Sequence, residues 1–276
     1  MPAADSLSGE GGAVPRFAAN LTMLFTEVPF LERFKAAANA GFTAVEFLFP
    51  YDYRKSDLAA ALKDNNLRLV LHNLPAGDWG SGERGIACHP DRTAEFREGV
   101  DKAIDYATAL NCPQVNCLAG ILPAGVTRDA AQAVLVENLR YAADRLEASR
   151  IGLLLEPVNS RDIPGFFVDR PSYGLEIIAA TGSKNLKLQY DIYHAQVMEG
   201  DLANTIEREL PRIGHIQLAD NPGRHEPGTG EINYPYLFRR IDDLGYAGWI
   251  GCEYKPKGAT SDGLSWLQPY LAKQAV

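Results

Sequence analysis

Short apolar runs that stop at a polar residue alternate along the chain with longer stretches of helical spacing. The clearest run is Ile151-Gly152-Leu153-Leu154-Leu155-Glu156-Pro157. An apolar run this short, bounded by a breaker, reads as a buried strand rather than a helix. Pro157 marks where ladder pairing ends, so Glu156 sits at the carboxyl end of the strand. The pattern recurs in Leu186-Lys187-Leu188-Gln189-Tyr190-Asp191, in Ile213-Gly214-His215-Ile216-Gln217 and in Trp249-Ile250-Gly251-Cys252-Glu253. The polar ends at 156, 191, 217 and 253 fall 35, 26 and 36 residues apart. One strand with its return helix takes roughly 30 residues or more. The spacing therefore predicts successive parallel strands with Glu156, Asp191, Gln217 and Glu253 on one rim.

The N-terminal half has the same rhythm. Strands are predicted from Arg16 to Asn20, from Val45 to Pro50, from Leu69 to His72 and from Gln114 to Leu118. The first helix face carries Phe30, Leu31, Phe34 and Ala38 and ends at Gly41; Ser56 is placed to cap a second helix carrying Leu58, Leu62 and Leu67 inward. A third helix runs from Ala94 to Leu110. Thr127 caps a long one with Leu135, Leu139, Ala142 and Leu146 on one stripe. Further helices are predicted from Ser172 or Tyr173 to Ala180, from Leu202 to Leu210 and from Tyr234 to Leu244. Between Asn73 and Asp91 lies a Gly/Pro-rich stretch without periodicity, and a loop longer than about 15 residues is usually functional. It is read as a lid over the site. A second such loop, Asp220 to Gly230, follows strand seven.

Eight strands alternating with helices match the order and size of a single-domain (β/α)8 TIM barrel over residues 15–276, with 1–14 read as a disordered leader. A doubly wound sheet is disfavoured, because no Gly-x-Gly-x-x-Gly follows the first strand. In a barrel the active site lies at the carboxyl ends of the strands, where the four polar ends fall.

Composition narrows the function. The net charge of −8 and a pI near 5.2 argue against a nucleic-acid groove. No apolar run approaches the ~18 residues of a membrane span, so neither nucleic acid nor membrane is expected as a partner. Cys88, Cys112, Cys117 and Cys252 form no Cys-x-x-Cys pair. Reduced thiols and the lack of a secretory signal place the protein in the cytoplasm. The expected partner is a small molecule, and homo-oligomer formation is left open.

Three carboxylates and an amide on one rim suit a hard divalent cation, Mg²⁺ or Mn²⁺. Glu156 and Glu253, far apart in barrel order, can face each other across the mouth and each move a proton. His72, His194 and His215 are candidates to bind substrate oxygens or to orient a ligand. Lys255 and the loop residues Arg224 and Arg84 can neutralise a substrate carboxylate, with Lys255 nearest in sequence. Glu46 can hydrogen-bond a substrate hydroxyl or a neighbouring histidine, and Trp79 can wall the pocket from the lid.

The segments RFAANLTMLF, VEFLFPYDY, LHNLPAGDW, GERGIA, EPVN, DIPGFF, QYDIYH, MEGDL, GHIQLADNPGRHEPGTGEINY and GWIGCEYKP together resemble the hydroxypyruvate isomerase family of xylose-isomerase-like TIM barrels. The same family includes 2-oxo-tetronate isomerases, and FTEVPF and EINYP look especially like those. The resemblance implies a carbonyl shift on a small 2-oxo-3-hydroxy acid. Hydroxypyruvate would become 2-hydroxy-3-oxopropanoate (tartronate semialdehyde), or a 2-oxo-tetronate its 3-oxo isomer. It further implies Glu156 and Glu253 as the acid/base pair and a Mg²⁺ site completed by Asp191 and Gln217, where related sugar epimerases carry histidine. No nucleotide cofactor is implied, because both redox centres lie in one substrate. A metal-dependent endonuclease of the same barrel type would need a basic groove. A non-catalytic acid-binding barrel would not need two opposed glutamates.

Overall fold

The computed structural model describes residues 15–274, so the stretch read as a leader lies outside the described residues. Eight parallel strands close into a barrel in sequential order: β1 (Arg16–Asn20), β2 (Ala44–Glu46), β3 (Arg68–Asn73), β4 (Gln114–Leu118), β5 (Gly152–Glu156), β6 (Leu186–Asp191), β7 (Ile213–Leu218) and β8 (Trp249–Cys252). β1 pairs with β8, Arg16 opposite Trp249, and this pairing closes the ring.

The intervening helices are α1 (Phe30–Asn39), α2 (Lys55–Asp64), α3 (Thr93–Ala109), α4 (Arg128–Ala148), α5 (Pro171–Thr181), α6 (Ile192–Met198), α7 (Leu202–Glu209), α8 (Tyr234–Asp243) and α9 (Gln268–Gln274). The Thr127 hydroxyl accepts from Ala130 N–H and starts α4, and its stripe Leu135, Leu139, Ala142 and Leu146 is fully buried. Fully burying each such Leu is worth about 1.5–3 kcal/mol. Most of the core lies between strands and helices. A smaller cluster of Ala18, Ala44, Val70, Leu71 and Leu154, with Trp249 against it, is packed separately.

Three local expectations change. Ser56 does not cap α2: the helix already starts at Lys55, and the Ser56 hydroxyl turns to Asp57 Oδ1 at 3.2 Å. Leu31 is exposed, and Ala37 takes its place with Phe34 on the buried face of α1. A short helix, α6, follows Asp191 directly because the Asp191 carboxylate caps it, accepting from the backbone N–H of Tyr193 at 2.7 Å and of His194 at 3.4 Å.

The root of the lid is clamped to the end of β4. Gly85 and Gly120 both have left-handed φ, +115° and +103°. A Cβ at Gly85 would lie 2.4 Å from Leu118 O, and one at Gly120 2.5 Å from Gly85 O. Only glycine lets the two backbones approach this closely. Cys88 N–H also donates to Ala119 O at 2.9 Å. The tip carries Trp79, whose ring packs against Phe49 at 5.0 Å between centroids and under the Arg84 guanidinium at 4.2 Å.

Candidate active site

A cavity of about 230 Å³ opens at the carboxyl end of the barrel. Glu156, Glu253, His194 and Arg224 line it together with Asn73, and Thr22, Met23, Leu48 and Trp79 share the lining. Glu156 ends β5, Glu253 follows β8, and His194 lies on α6, one turn past the end of β6. Arg224 is carried by the loop after β7 and held at φ +53°. That loop is organised by Asp220, a buried carboxylate that accepts the backbone N–H groups of Asn221, Gly228, Gly230 and Ile232 at 2.9–3.1 Å.

The carboxylates are held individually. Asn116 Nδ2 donates to Glu156 Oε2 at 2.7 Å. Glu253 Oε1 accepts from Arg224 Nη2 at 2.8 Å, and its Oε2 accepts from Gln217 at 2.5 Å and from Asn20 at 3.3 Å. Asp191 Oδ1 caps α6, while its buried Oδ2 has no hydrogen-bond partner among the described residues. Glu156, Asp191 and His194 each offer an atom within 4.8 Å of the others. Burial pushes the Glu156 carboxyl well above the usual carboxylate range, and the charges of Glu253 and Asp191 push it further. Asp191 is also raised by burial, against the pull of Arg224. Glu253 is pushed up to about 8 by burial, although Arg224 opposes this. Burial and the neighbouring Arg224 hold His194 well below its ordinary value, so its imidazole is neutral.

A second polar layer is built around Glu46, the buried end of β2. Glu46 accepts from His215 Nε2 at 2.7 Å, from Gln217 Nε2 at 2.7 Å and from Asn20 Nδ2 at 3.0 Å. Gly251 is required beside it, since a Cβ there would fall 2.3 Å from the Glu46 carboxylate oxygens. His215 therefore shares the inner face with Gln217 and is bound to Glu46 rather than lining the cavity.

Not every expected residue comes to the site. His72 is turned to the helix layer, its ring edge-on to Tyr51 at 6.1 Å and its Nδ1 3.1 Å from Asn73 O. β3 extends one residue further, to Asn73, and alternation places that side chain, not His72, at the cavity. Lys255 is exposed. It meets the site loop through its backbone, its N–H donating to Arg224 O at 2.8 Å and its carbonyl 2.7 Å from His225 Nδ1. Proximity in sequence put it close to Glu253, but the chain has turned outward by then. Arg84 rests on Trp79 instead of reaching the cavity lining. The Gln217 amide, as placed, presents its NH₂ to Glu46 and Glu253 and its oxygen to Gln189 Nε2 at 2.6 Å. It holds carboxylates apart and offers no free oxygen.

Asn20, Asn116, Asn159 and Gln189 are the polar neighbours that sequence reasoning missed. Asn20 and Gln189 lie in or at the end of strands already recognised, so the strand-end rule that found Glu156 reaches Asn20 directly.

Comparison with known proteins agrees with this geometry. The model of the xylose isomerase-like TIM barrel family matches residues 34–270. The chain is 56% identical over 255 residues to "Hydroxypyruvate isomerase" of Escherichia coli (strain K12), covering 92% of this chain and 99% of that one. It is 49% identical over 260 residues to "2-oxo-tetronate isomerase" of Cupriavidus necator, covering 94% and 100%. A crystal structure described as AP endonuclease, family 2 from Brucella melitensis superimposes with a TM-score of 0.91 at 49% identity, covering 93% of this chain and 99% of that one. A barrel of this family, with two glutamates facing one buried cavity and relatives of full matching length that are isomerases, leaves one assignment: the chain belongs to the hydroxypyruvate isomerase family of xylose isomerase-like TIM barrels and is an isomerase.

Proposed function

We propose that the substrate is a small 2-oxo-3-hydroxy acid, hydroxypyruvate in the first place, converted to 2-hydroxy-3-oxopropanoate. The observation that carries this reading is the pairing of Glu156 and Glu253 on one cavity that also holds Arg224. A carboxylate with a raised pKa is a base matched to a proton α to a carbonyl. One glutamate removes the proton from the carbon bearing the hydroxyl, leaving an enediolate. A proton is returned to the former carbonyl carbon, and the hydroxyl proton moves to the other oxygen. Nothing is oxidised outside the substrate. Arg224 Nη2, beside Glu253, suits the substrate's carboxylate, and a neutral His194 suits its oxygens.

The residues fit a divalent cation. The unpartnered Asp191 Oδ2, the raised pKa values and the oxygen-rich rim are what a hard cation satisfies. Glu156, Asp191 and Glu253 would hold Mg²⁺ or Mn²⁺, and Gln217 would join them with its amide turned over. The ion would supply electrostatic stabilisation of the charge that develops on the substrate oxygens.

A 2-oxo-tetronate is the second reading, favoured by the 49% identity to the Cupriavidus necator protein and by a cavity of about 230 Å³ that has room beyond three carbons. An endonuclease is not supported, since the rim is acidic and the net charge is −8. We place the enzyme in the cytoplasm on the strength of four free cysteines. Among the described residues no helix is long and apolar enough to cross a membrane. A coupled assay with hydroxypyruvate and both 2-oxo-tetronates, with and without EDTA, tests the assignment. Turnover of none of the three acids would overturn it.

A further inference from the structure

His194 is within reach of two carboxylates, and its place could belong either to a ligand of the cation or to a hydrogen-bond donor to substrate. Which of these it is depends on the nitrogen that carries the proton, and the structure contains the group that decides. Asn159, in the loop after β5, is fully buried. Its Oδ1 accepts the backbone N–H of Asp162 at 2.8 Å. A backbone N–H can only donate, so the orientation of the Asn159 amide is fixed. Its NH₂ then faces His194 Nδ1 at 2.6 Å. An NH₂ can only donate, so Nδ1 must accept. With Nδ1 accepting over 2.6 Å, the ring carries its proton on Nε2, the nitrogen 4.0 Å from Glu156 Oε1 and 3.7 Å from Asp191 Oδ2. Arg224 Nη2, a further donor 3.4 Å from Nε2, is the longer contact and is engaged by Glu253 Oε1 at 2.8 Å.

We propose that Asn159 is a positioning residue that locks His194 as the Nε2–H tautomer, making it a neutral hydrogen-bond donor into the cavity and excluding it from the cation's ligand set. The lock runs from one backbone N–H through one amide to one imidazole, and each link has a single allowed polarity. A protonated Nε2 has no lone pair for a metal. The carboxylates Glu156 and Asp191 are left to the cation, and the imidazole to an oxygen of the substrate where negative charge develops. The catalytic consequence rests on the isomerase reading; the tautomer does not.

Nitrogen-15 NMR of the full-length protein labelled on its five histidines tests this, with His194→Gln identifying the His194 signals. In the wild type, Nε2 is expected to be of the protonated, pyrrole type and Nδ1 of the bare, pyridine type, and saturating Mg²⁺ leaves that pattern unchanged. Asn159→Asp keeps the shape and the acceptor for Asp162 N–H but turns the second donor into an acceptor. In that variant Nδ1 is expected to become protonated, with kcat on the turned-over acid falling by ~10²-fold, the loss typical of one misdirected donor at a developing oxyanion. A wild-type Nδ1 that carries the proton, or an Nε2 that loses it when Mg²⁺ binds, overturns the proposal. So does an unchanged pattern in Asn159→Asp. If the acids tested are simply not substrates, the wild-type spectrum still decides the tautomer.

Discussion

Arg224 Nη2 lies 2.8 Å from Glu253 Oε1, and the same nitrogen is 3.8 Å from Asp191 Oδ2. The guanidinium reaches into a rim that otherwise concentrates negative charge. Its side chain is 18% exposed and that of Glu253 9%, so the pair is poorly screened and its removal is felt more than that of a surface ion pair.

Arg224, not Lys255, is therefore expected to receive the substrate carboxylate. A hydrogen bond to a charged group contributes about 1.5–3 kcal/mol, or roughly 10- to 100-fold in affinity at about 1.4 kcal/mol per tenfold. Arg224→Met should lower kcat/KM by about that factor for whichever acid is turned over, while Lys255→Met leaves it close to the wild-type value. Steady-state kinetics on the two variants side by side check this. A larger loss in Lys255→Met would return the role to the lysine.

Glu156→Gln and Glu253→Gln should fold and lose ~10²–10⁴-fold in kcat, the range of general acid–base groups. In Glu156→Gln the amide keeps an oxygen to accept from Asn116 and removes one charge from a crowded cluster, whereas in Glu253→Gln an oxygen kept toward Arg224 turns the new NH₂ onto the donors Gln217 Nε2 and Asn20 Nδ2. Thermal unfolding of cation-free Glu156→Gln should accordingly occur no lower than that of the wild type, and that of Glu253→Gln lower. Near-normal turnover in either purified variant removes that residue from the mechanism.

The raised carboxyls also fix the direction of pH dependence in the cation-free protein. Glu253, pushed up to about 8 from an ordinary 4.5, keeps its proton in the folded chain over a range where the unfolded chain has lost it. The folded state then binds more protons, so stability falls as pH rises between those values and levels off above them. A divalent cation displaces those protons and should stabilise more at about pH 8 than at about pH 5. Calorimetric Tm values of EDTA-treated protein at the two pH values, with and without Mn²⁺, give the comparison. Glu253→Gln should show a shallower fall, and an equal slope in the variant would remove Glu253 as the source.

The barrel and the main carboxylates were legible in the sequence for one physical reason. In an all-parallel sheet the strands are apolar throughout, so a polar residue at a strand end stands out. That signal located Glu156, Asp191, Gln217 and Glu253 and the strand order. The same uniformity hides which way a residue points. His72 and Asn73 are adjacent and both buried, yet they face opposite layers, and nothing in Leu69-Val70-Leu71 sets the parity. Lys255 was favoured over Arg224 by distance along the chain, although the loop fixed by Asp220 brings the arginine in from 29 residues before Glu253. Asn159 had no signal of its own, since its role depends on a backbone N–H three residues on and an imidazole 35 residues away.

The choice between a three-carbon and a four-carbon acid should lie with Trp79. The two substrates differ by one hydroxymethyl group, and the carboxylates and Arg224 see the same atoms in both. The discriminating wall must come from the remaining lining, which holds Thr22, Met23, Leu48, Leu118, Val158, Ile163 and Phe166 beside Trp79. Trp79 is the largest of these and the only one carried by the lid. It is 36% exposed, with its ring held from one side by Phe49 and from another by Arg84, whose Nη1 also donates to Trp79 O at 3.1 Å. The lid root is packed backbone to backbone against the end of β4 at Gly85 and Gly120, and the indole is the large side chain that the lid adds to the cavity lining. One extra methylene in a pocket is worth about 1–3 kcal/mol, or 10–200-fold. Trp79→Ala should therefore shift the ratio of kcat/KM values by at least about tenfold toward the four-carbon acid. Arg84→Ala, which frees the indole without removing it, should shift the ratio the same way by less. Measuring kcat/KM for both acids in the three proteins decides it: a ratio unchanged in Trp79→Ala means that the lid does not select the substrate.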